Sequence, residues 1–297
     1  MHFIKFHGYG NDYIVVDAGE LAGVEAVGEL ARQVCDRHYG AGADGVAVFE
    51  RLTNTSEADF HLRIFNPDGG EAAMSGNGSR SAVAALYFEG LWSDEELRLK
   101  TRAGIKTYRL LETDGRGHFR FAAEIGHPLF ASTSIPMLTG GAALERVIDY
   151  PLDLGGGETV RITALQMCNP NVCVIVDDFG RADWQRVGRL IESHPQFPER
   201  TNVEFVRAVD HERIEARVWE RGVGPTLASG TGACAAAVAA CVGGLTGRRV
   251  TVEMPGGHLA VEWREPDDEV LLTGTAEVVY RGDWIKDAER GGDREQR

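Results

Sequence analysis

The chain has 297 residues, of which 43% are hydrophobic and 26% charged, and this length favours two domains in an ordinary globular protein. The 45 acidic and 31 basic side chains give a net charge of −14, which disfavours binding to nucleic acid or to an anionic membrane surface. No apolar run reaches the ~18 residues of a membrane-spanning helix, and the first residues lack the pattern of a signal peptide. We therefore expect a cytoplasmic protein.

In the first half, a strand-like run at residues 61–65 precedes the glycine-rich turn Ser75-Gly76-Asn77-Gly78. An alanine-rich run with few charges follows, which is typical of a buried helix. Two alternating runs at 97–100 and 105–111 then predict a β-hairpin. This half therefore predicts strand, turn, buried helix and hairpin in that order.

The second half repeats this order at an almost constant spacing. A strand-like run at 213–219 leads to Ser229-Gly230-Thr231-Gly232, an alanine-rich run follows, and 250–253 and 258–263 predict another hairpin. The repeat predicts an α+β fold of two pseudo-symmetric lobes, each a mixed β-sheet or barrel wrapped around a central helix. Residues 124–157, rich in proline and glycine, are expected to form a crossover with loop content.

Each glycine-rich turn opens a helix, so it offers free backbone N–H groups and the positive end of the helix dipole to an anion. Two such turns could hold one carboxylate from opposite sides, with Ser75 and Ser229 flanking the carbon beside it. This arrangement suits inversion of a stereocentre, because one group removes a proton from one face and the other delivers a proton to the opposite face. The simpler interpretation of either serine alone is a helix N-cap.

Other chemistries have little support in the sequence. The five cysteines have neither zinc-ligand spacing nor the density of a disulfide framework, so we expect reduced thiols, mostly buried. No metal site and no nucleotide-binding fingerprint is present in the sequence, and no cofactor is expected. Lys100 and Lys106 are expected at exposed strand positions, which are unsuitable for a Schiff base.

Motifs along nearly the whole chain resemble those of the diaminopimelate epimerase family, whose members use no pyridoxal phosphate. The matching segments are Phe6-His7-Gly8-Tyr9-Gly10-Asn11-Asp12-Tyr13, Phe65-Asn66-Pro67-Asp68-Gly69-Gly70-Glu71, Asn169-Pro170, Phe197-Pro198-Glu199-Arg200-Thr201-Asn202, Glu220-Arg221-Gly222-Val223-Gly224, Pro255-Gly256-Gly257 and both serine-headed turns. The resemblance implies a ligand cleft between the lobes, a final strand that returns to the first lobe, and a homodimer. We therefore expect an N-terminal lobe of residues 1–124, completed by 275–297, and a C-terminal lobe of 125–274; the last residues, 290–297, are expected to fray.

The resemblance also implies roles for individual residues. The positions that would hold the carboxylate beside the reacting carbon are Gly76, Asn77, Gly230 and Thr231. Those that would hold the distal end of the substrate are Asn11, Asn66, Asn169, Asn202 and Arg221, with Glu220 meeting an ammonium group. Because these residues suit a second charged end, they favour diaminopimelate over a smaller amino acid such as proline. The implied reaction is two-base interconversion of LL- and meso-diaminopimelate, a step towards lysine and peptidoglycan precursors.

The sequence departs from the family at the catalytic positions, where Ser75 and Ser229 replace two cysteines. A serine hydroxyl is far less acidic than a thiol, and it acts as a base only when another group takes its proton. Further departures are Gly45 for a polar residue, Ser81 for a non-catalytic cysteine, Asn171 for a histidine and Pro225 for a glutamate. Changes at so many positions favour a natural divergent branch over a deliberate Cys→Ser substitution.

Three functional hypotheses follow. The first is a working epimerase whose serines relay protons to nearby bases, with Asp68, Glu71 and Glu220 as candidates. The second is a related racemase or isomerase that acts on another substrate. The third is a binding protein that recognises diaminopimelate without catalysis.

Overall fold

A computed structural model describes residues 1–53 and 57–285, in which four α-helices and 17 strands form an α+β fold. The helices are α1 (Val27–Cys35), α2 (Gly76–Phe88), α3 (Trp184–Glu192) and α4 (Gly230–Val242), with a short 3-10 helix at Ala18–Leu21. The strands are β1 (His2–Gly8), β2 (Asn11–Asp17), β3 (Gly45–Arg51), β4 (Phe60–Phe65), β5 (Glu71–Ala72), β6 (Glu96–Thr101), β7 (Gly104–Thr113), β8 (His118–Gly126), β9 (Val147–Gly155), β10 (Glu158–Gln166), β11 (Pro170–Ile175), β12 (Asn202–Ala208), β13 (Arg213–Glu220), β14 (Gly224–Thr226), β15 (Arg249–Met254), β16 (Gly257–Trp263) and β17 (Val270–Asp283).

The two halves pair their strands in the same way. In the first half, β2 runs parallel to β3, β3 antiparallel to β4, and β4 parallel to β6. In the second half, β11 runs parallel to β12, β12 antiparallel to β13, and β13 parallel to β15. The predicted fold of two pseudo-symmetric lobes is therefore confirmed, and the predicted strands and helices agree with the observed ones to within a few residues.

Each lobe is built around its small-residue helix. The side chains of α2 from Asn77 to Leu86 and those of α4 from Thr231 to Ala240 are buried, and both helices contribute to one hydrophobic core. Because alanine and serine side chains are short, the surrounding strands can pack closely against all sides of these helices. The strands thus wrap each helix and leave its N-terminus directed at the other lobe.

The chain end joins the two halves. Strand β17 pairs with β16 at its start, with β8 along its middle and with β1 at its end. The expected return of the final strand is therefore confirmed, although the strand begins at Val270, five residues before the expected start. The division into lobes at residues 124 and 274 stays a prediction, and the tail expected to fray lies outside the described residues.

Two local expectations need correction. The crossover contains a strand, β9, in which Pro151 pairs with Arg161 on β10. Lys106 is buried and not exposed: on β7 it is Lys106 and Tyr108 that face inward, while Ile105 points outward. The Lys106 ammonium group donates to the carbonyl oxygen of Ile125. The side chains of β7 alternate as predicted, but the face that carries Lys106 is the buried face and not the exposed one.

The expectation for the cysteines is confirmed, because all five are free and three of them are buried. Among the residues that the structure describes, no helix is both long and apolar enough to cross a membrane.

Candidate active site

The N-termini of α2 and α4 meet head to head. A Cβ atom built on Gly76 would lie 3.4 Å from the Cα atom of Gly230, and a Cβ atom on Gly230 would lie 3.1 Å from the side chain of Leu272. A Cβ atom at either glycine would thus already be in van der Waals contact with the opposite helix, so the two helix starts approach each other closely. The result is a single point onto which two sets of free backbone N–H groups and two positive dipole ends converge.

This point opens into a cavity of about 170 Å³, a size that suits a small molecule. Every catalytic and substrate-binding position that the family resemblance implies lines it, namely Asn11, Asn66, Ser75, Gly76, Asn77, Asn169, Asn202, Glu220, Arg221, Ser229, Gly230 and Thr231. The lining also includes four residues that the sequence analysis did not select, namely Tyr13, Ala72, Met74 and Ala228. The two serines therefore share one cavity, as a site for stereoinversion requires.

Both serines cap their helices and border the cavity at once. The Ser75 hydroxyl oxygen accepts from the Gly78 N–H at 3.1 Å, and that of Ser229 accepts from the Gly232 N–H at 3.1 Å. The N-cap interpretation of these serines is therefore compatible with a role in the site. A backbone N–H and a dipole end directed at each oxygen stabilise negative charge that develops on it.

In the first lobe, a chain of hydrogen bonds fixes the side-chain amides. Asn77 donates to Asn11 at 3.0 Å, and Asn11 donates to the Asp44 carboxylate at 2.9 Å. The Asn77 carbonyl oxygen accepts from the buried guanidinium of Arg80, which also donates to the Thr275 carbonyl oxygen at 2.8 Å. The sequence analysis missed Asp44 and Arg80, since neither lines the cavity and both act through an asparagine.

In the second lobe, three asparagines form the corresponding chain. Asn202 accepts from the Arg221 backbone N–H at 2.8 Å and donates to Asn171 at 3.4 Å. Asn171 in turn donates to the carbonyl oxygen of Asn169 at 2.7 Å and to its side-chain oxygen at 2.9 Å. Asn171, at the position of the family's histidine, therefore holds Asn169 in place and does not line the cavity.

Arg221 is the cation among the residues that line the cavity. Its side chain is exposed and donates to the Glu199 carbonyl oxygen at 3.1 Å. Within the described residues it forms no ion pair, so its charge is available to an anionic ligand.

Of the three carboxylates considered as bases, only Glu220 lines the cavity. Burial raises its pKa, and the negative charge of Asp44 adds to this effect. The expectation was wrong for the other two. Glu71 turns away to pair with Arg63 at 3.0 Å, which lowers the pKa of its carboxyl, and Asp68 accepts from the Gly70 N–H within its own turn.

Glu204 is a second buried carboxyl that the sequence analysis missed. Its Oε1 atom and the Ser229 hydroxyl oxygen lie 2.9 and 3.0 Å from the same point, the position of a Cβ atom built on Gly232. Burial raises the pKa of Glu204 well above its usual value, and Oε1 has no hydrogen-bond partner among the described residues. A glutamate among the apolar residues of the strand-like run 203–206 was the signal that could have found it.

Tyr13 occupies the corresponding space beside Ser75. Its hydroxyl group donates to the Ser75 oxygen at 2.8 Å. A Cβ atom built on Gly45 would lie 2.6 Å from the Tyr13 ring, so the glycine that departs from the family pattern makes room for this ring.

Comparison with known proteins identifies the family of the chain. The family model for diaminopimelate epimerase matches residues 3–125 and 163–279. The curated diaminopimelate epimerase of Pelotomaculum thermopropionicum is 44% identical over 285 residues, which cover 96% of this chain and 99% of that protein. That of Moorella thermoacetica is 43% identical over 97% of this chain and all of the relative.

Solved structures with the same fold are more distant in sequence. A probable proline racemase from Agrobacterium radiobacter K84 superposes with a TM-score of 0.70 at 17% identity, covering 98% of this chain and 94% of that one. A hydroxyproline epimerase from Agrobacterium vitis has a TM-score of 0.68 at 16% identity, covering 95% and 91%. These two show the fold, while the family model and the curated relatives show that the chain belongs to the diaminopimelate epimerase family.

Proposed function

We propose that this protein is a diaminopimelate epimerase that interconverts the LL and meso isomers without a cofactor. The observation that carries the proposal is the single polar cavity at which two helix N-termini meet, with a hydroxyl group from each turn at its wall. A reaction that removes a proton from one face of a carbon and returns one to the other face needs this kind of two-sided site.

The reacting end of the substrate lies at the meeting point of the helices. Gly76, Asn77, Gly230 and Thr231 form the first turns of α2 and α4, and their backbone N–H groups bind the α-carboxylate. When the α-proton leaves, negative charge spreads onto this carboxylate. The same N–H groups and dipoles therefore stabilise the carbanionic intermediate more strongly than the substrate.

The distal amino-acid end binds where the side chains carry the matching polarity. Arg221 pairs with the distal carboxylate, and the four asparagines Asn11, Asn66, Asn169 and Asn202 supply amide donors and acceptors. Glu220 binds an ammonium group, whose positive charge favours the ionised carboxylate that burial otherwise disfavours. A substrate with one charged end would leave Arg221 without a partner.

The proposal is tested by exchange in heavy water. LL-diaminopimelate is incubated with the protein in D₂O, and mass spectrometry together with chiral chromatography follows α-deuterium and the meso isomer. Deuterium in both isomers is the expected result. Meso product without deuterium would contradict proton exchange at the α-carbon.

A diaminopimelate-binding protein without catalysis is the second candidate, and the serine at both acid–base positions favours it. Calorimetric binding of LL-diaminopimelate with no deuterium exchange would select this function. Neither binding nor exchange, together with exchange on another amino acid such as proline, would indicate a related racemase.

The assembly and location proposed for this enzyme are a homodimer in the cytoplasm. The family resemblance supports the dimer, and the step in lysine biosynthesis supports the location. Sedimentation at the monomer mass of 32.3 kDa over the working concentration range would contradict the dimer.

A further inference from the structure

The two hydroxyl groups of the site differ in what they can donate and accept. A serine oxygen has two lone pairs and one O–H bond. The Ser75 oxygen accepts from the Gly78 N–H at 3.1 Å and from the Tyr13 hydroxyl at 2.8 Å, which uses both lone pairs. The Ser75 hydrogen is then free to point into the cavity.

Tyr13 donates in this contact because of its chemistry and its surroundings. A phenol is a stronger hydrogen-bond donor than an aliphatic alcohol, since its O–H group is far more acidic. Burial raises the pKa of Tyr13 further from neutrality, so the group stays a phenol. Ser75 is also the hydrogen-bond partner that the described residues provide for this hydroxyl group.

The ring of Tyr13 is held in a seat made by two glycines. Cβ atoms built on Gly45 and Gly78 would come within 2.6 and 2.8 Å of the same ring atom, Cε1. The seat fixes the ring at the N-terminus of α2, which removes the entropy cost of placing the hydroxyl group there. In the other lobe the strand position that corresponds to Tyr13 is Asn171, which bonds Asn169 and Asn202. Among the described residues, no side chain donates to Ser229 in the way that Tyr13 donates to Ser75.

We infer that Tyr13 is a positioning residue that acts through Ser75, making Ser75 the proton donor on its face of the substrate. This inference rests on the proposed epimerase function. In the step, the Ser75 O–H bond breaks and its proton bonds to the lone pair of the α-carbanion. The hydrogen bonds from the Tyr13 hydroxyl group and the Gly78 N–H stabilise the negative charge left on the Ser75 oxygen. The base on the opposite face releases to solvent the proton that it took from the substrate, and a proton from solvent returns to Ser75, so the cycle gains and loses no net proton.

The test is Tyr13→Phe, which keeps the ring in its seat and removes the hydroxyl group alone. We expect kcat for epimerisation to fall about a hundredfold with KM unchanged, as for loss of a general acid's support. Tyr108→Phe is the control, because Tyr108 is equally buried in the same lobe but lies outside the cavity. It should keep the wild-type kcat.

A double-mutant comparison separates positioning from a structural role. With Ser75→Cys and Ser229→Cys in place, a thiol is acidic enough to donate unaided, so Tyr13→Phe should cost far less than in the wild type. An equal loss in both backgrounds, or no loss in the wild type, would overturn the inference and leave the epimerase function standing. Absence of α-proton exchange in the wild type would overturn both.

Discussion

The two serine-headed turns share a backbone and differ in their neighbours. Ser75 has φ −132° and ψ 124°, Ser229 has φ −136° and ψ 127°, and each caps its helix through the N–H group three residues on. Beside Ser75 lies a phenol that donates to it, whereas beside Ser229 lies the buried carboxyl of Glu204. The repeat thus preserved the anion-binding geometry, while substitutions on adjacent strands gave the two faces of the site different chemistry.

The strand register shows where this difference arises. Tyr13 pairs with Gly45 on β2 and β3, and Asn171 pairs with Asn202 at the corresponding place on β11 and β12. Two residues further along, Cys173 pairs with Glu204, where the first lobe pairs Val15 with Ala47. The first lobe therefore places Tyr13 at the first pair of its parallel strands, whereas the second lobe places Glu204 two residues further along.

The largest effect should come from restoring thiols at both turns. Ser75→Cys with Ser229→Cys should raise the rate of α-proton exchange a hundredfold or more, roughly the scale of a better-matched acid–base pair. Because Tyr13 already assists Ser75, the single Ser229→Cys change should raise the rate more than Ser75→Cys. Deuterium incorporation measures all three variants.

Ser81→Cys is the control for thiol chemistry, since Ser81 is buried on the same helix and lies outside the cavity. Its exchange rate should match the wild type. No gain in the double cysteine variant would mean that the cavity itself no longer suits the substrate.

A substitution at Gly45 should disrupt the packing of the Tyr13 ring. Gly45→Ala places a Cβ atom 2.6 Å from the ring and 2.8 Å from the Phe65 carbonyl oxygen, so the free energy of unfolding should fall by ~3 kcal/mol. Gly141→Ala is the control, because a Cβ atom there meets nothing within 4 Å. Urea denaturation of both variants measures the difference, and equal stabilities would show that the ring can move aside.

The next comparison is between Arg221 and Asn66, which follow the corresponding strands β13 and β4 and are proposed to bind the distal end of the substrate. Arg221→Ala should weaken the binding of diaminopimelate by ~2 kcal/mol through loss of a charge-assisted pair. Asn66→Ala removes a neutral group and should cost ~1 kcal/mol. Isothermal calorimetry measures both affinities, and equal losses would contradict the assignment of Arg221 to the distal carboxylate.

Glu204→Gln tests the carboxyl beside Ser229 through the pH dependence of stability. Because burial raises the pKa in the folded state, the folded protein binds more protons than the unfolded chain between the two pKa values, and stability falls as pH rises through this window. Glutamine cannot titrate, so the variant should gain ~1 kcal/mol on the wild type for each pH unit in that window.

The measurement for Glu204→Gln is urea unfolding at a series of pH values above the ordinary glutamate pKa. Glu50→Gln, at an exposed position on β3, is the control and should run parallel to the wild type. A constant difference between Glu204→Gln and the wild type would show that Glu204 is already ionised in the folded protein.

The sequence was sufficient for features that depend on local pattern. Alternation predicted β4 and β13, the glycine-rich turns predicted the starts of α2 and α4, and the repeat brought Ser75 and Ser229 to one cavity. These features follow from periodicity and turn chemistry, which act over a few neighbouring residues.

The directions in which individual side chains point could not be predicted from the local sequence pattern. Glu71 could have entered the cavity but turns to Arg63, and Lys106 could have faced solvent but faces inward. Tyr13 and Glu204 reach the serines from strands distant in sequence. Such contacts depend on which strands and helices become neighbours in the fold, and the pattern within one short segment does not specify this.

The approach of Gly76 to Gly230 has a thermodynamic consequence for ligand binding. Like poles of two helix dipoles face each other there and repel each other. An anion placed between them offsets this repulsion. Part of the affinity for any small carboxylate therefore comes from the reduced electrostatic repulsion between the N-termini of α2 and α4. Simple carboxylates that cannot react should therefore raise the melting temperature and act as competitive inhibitors.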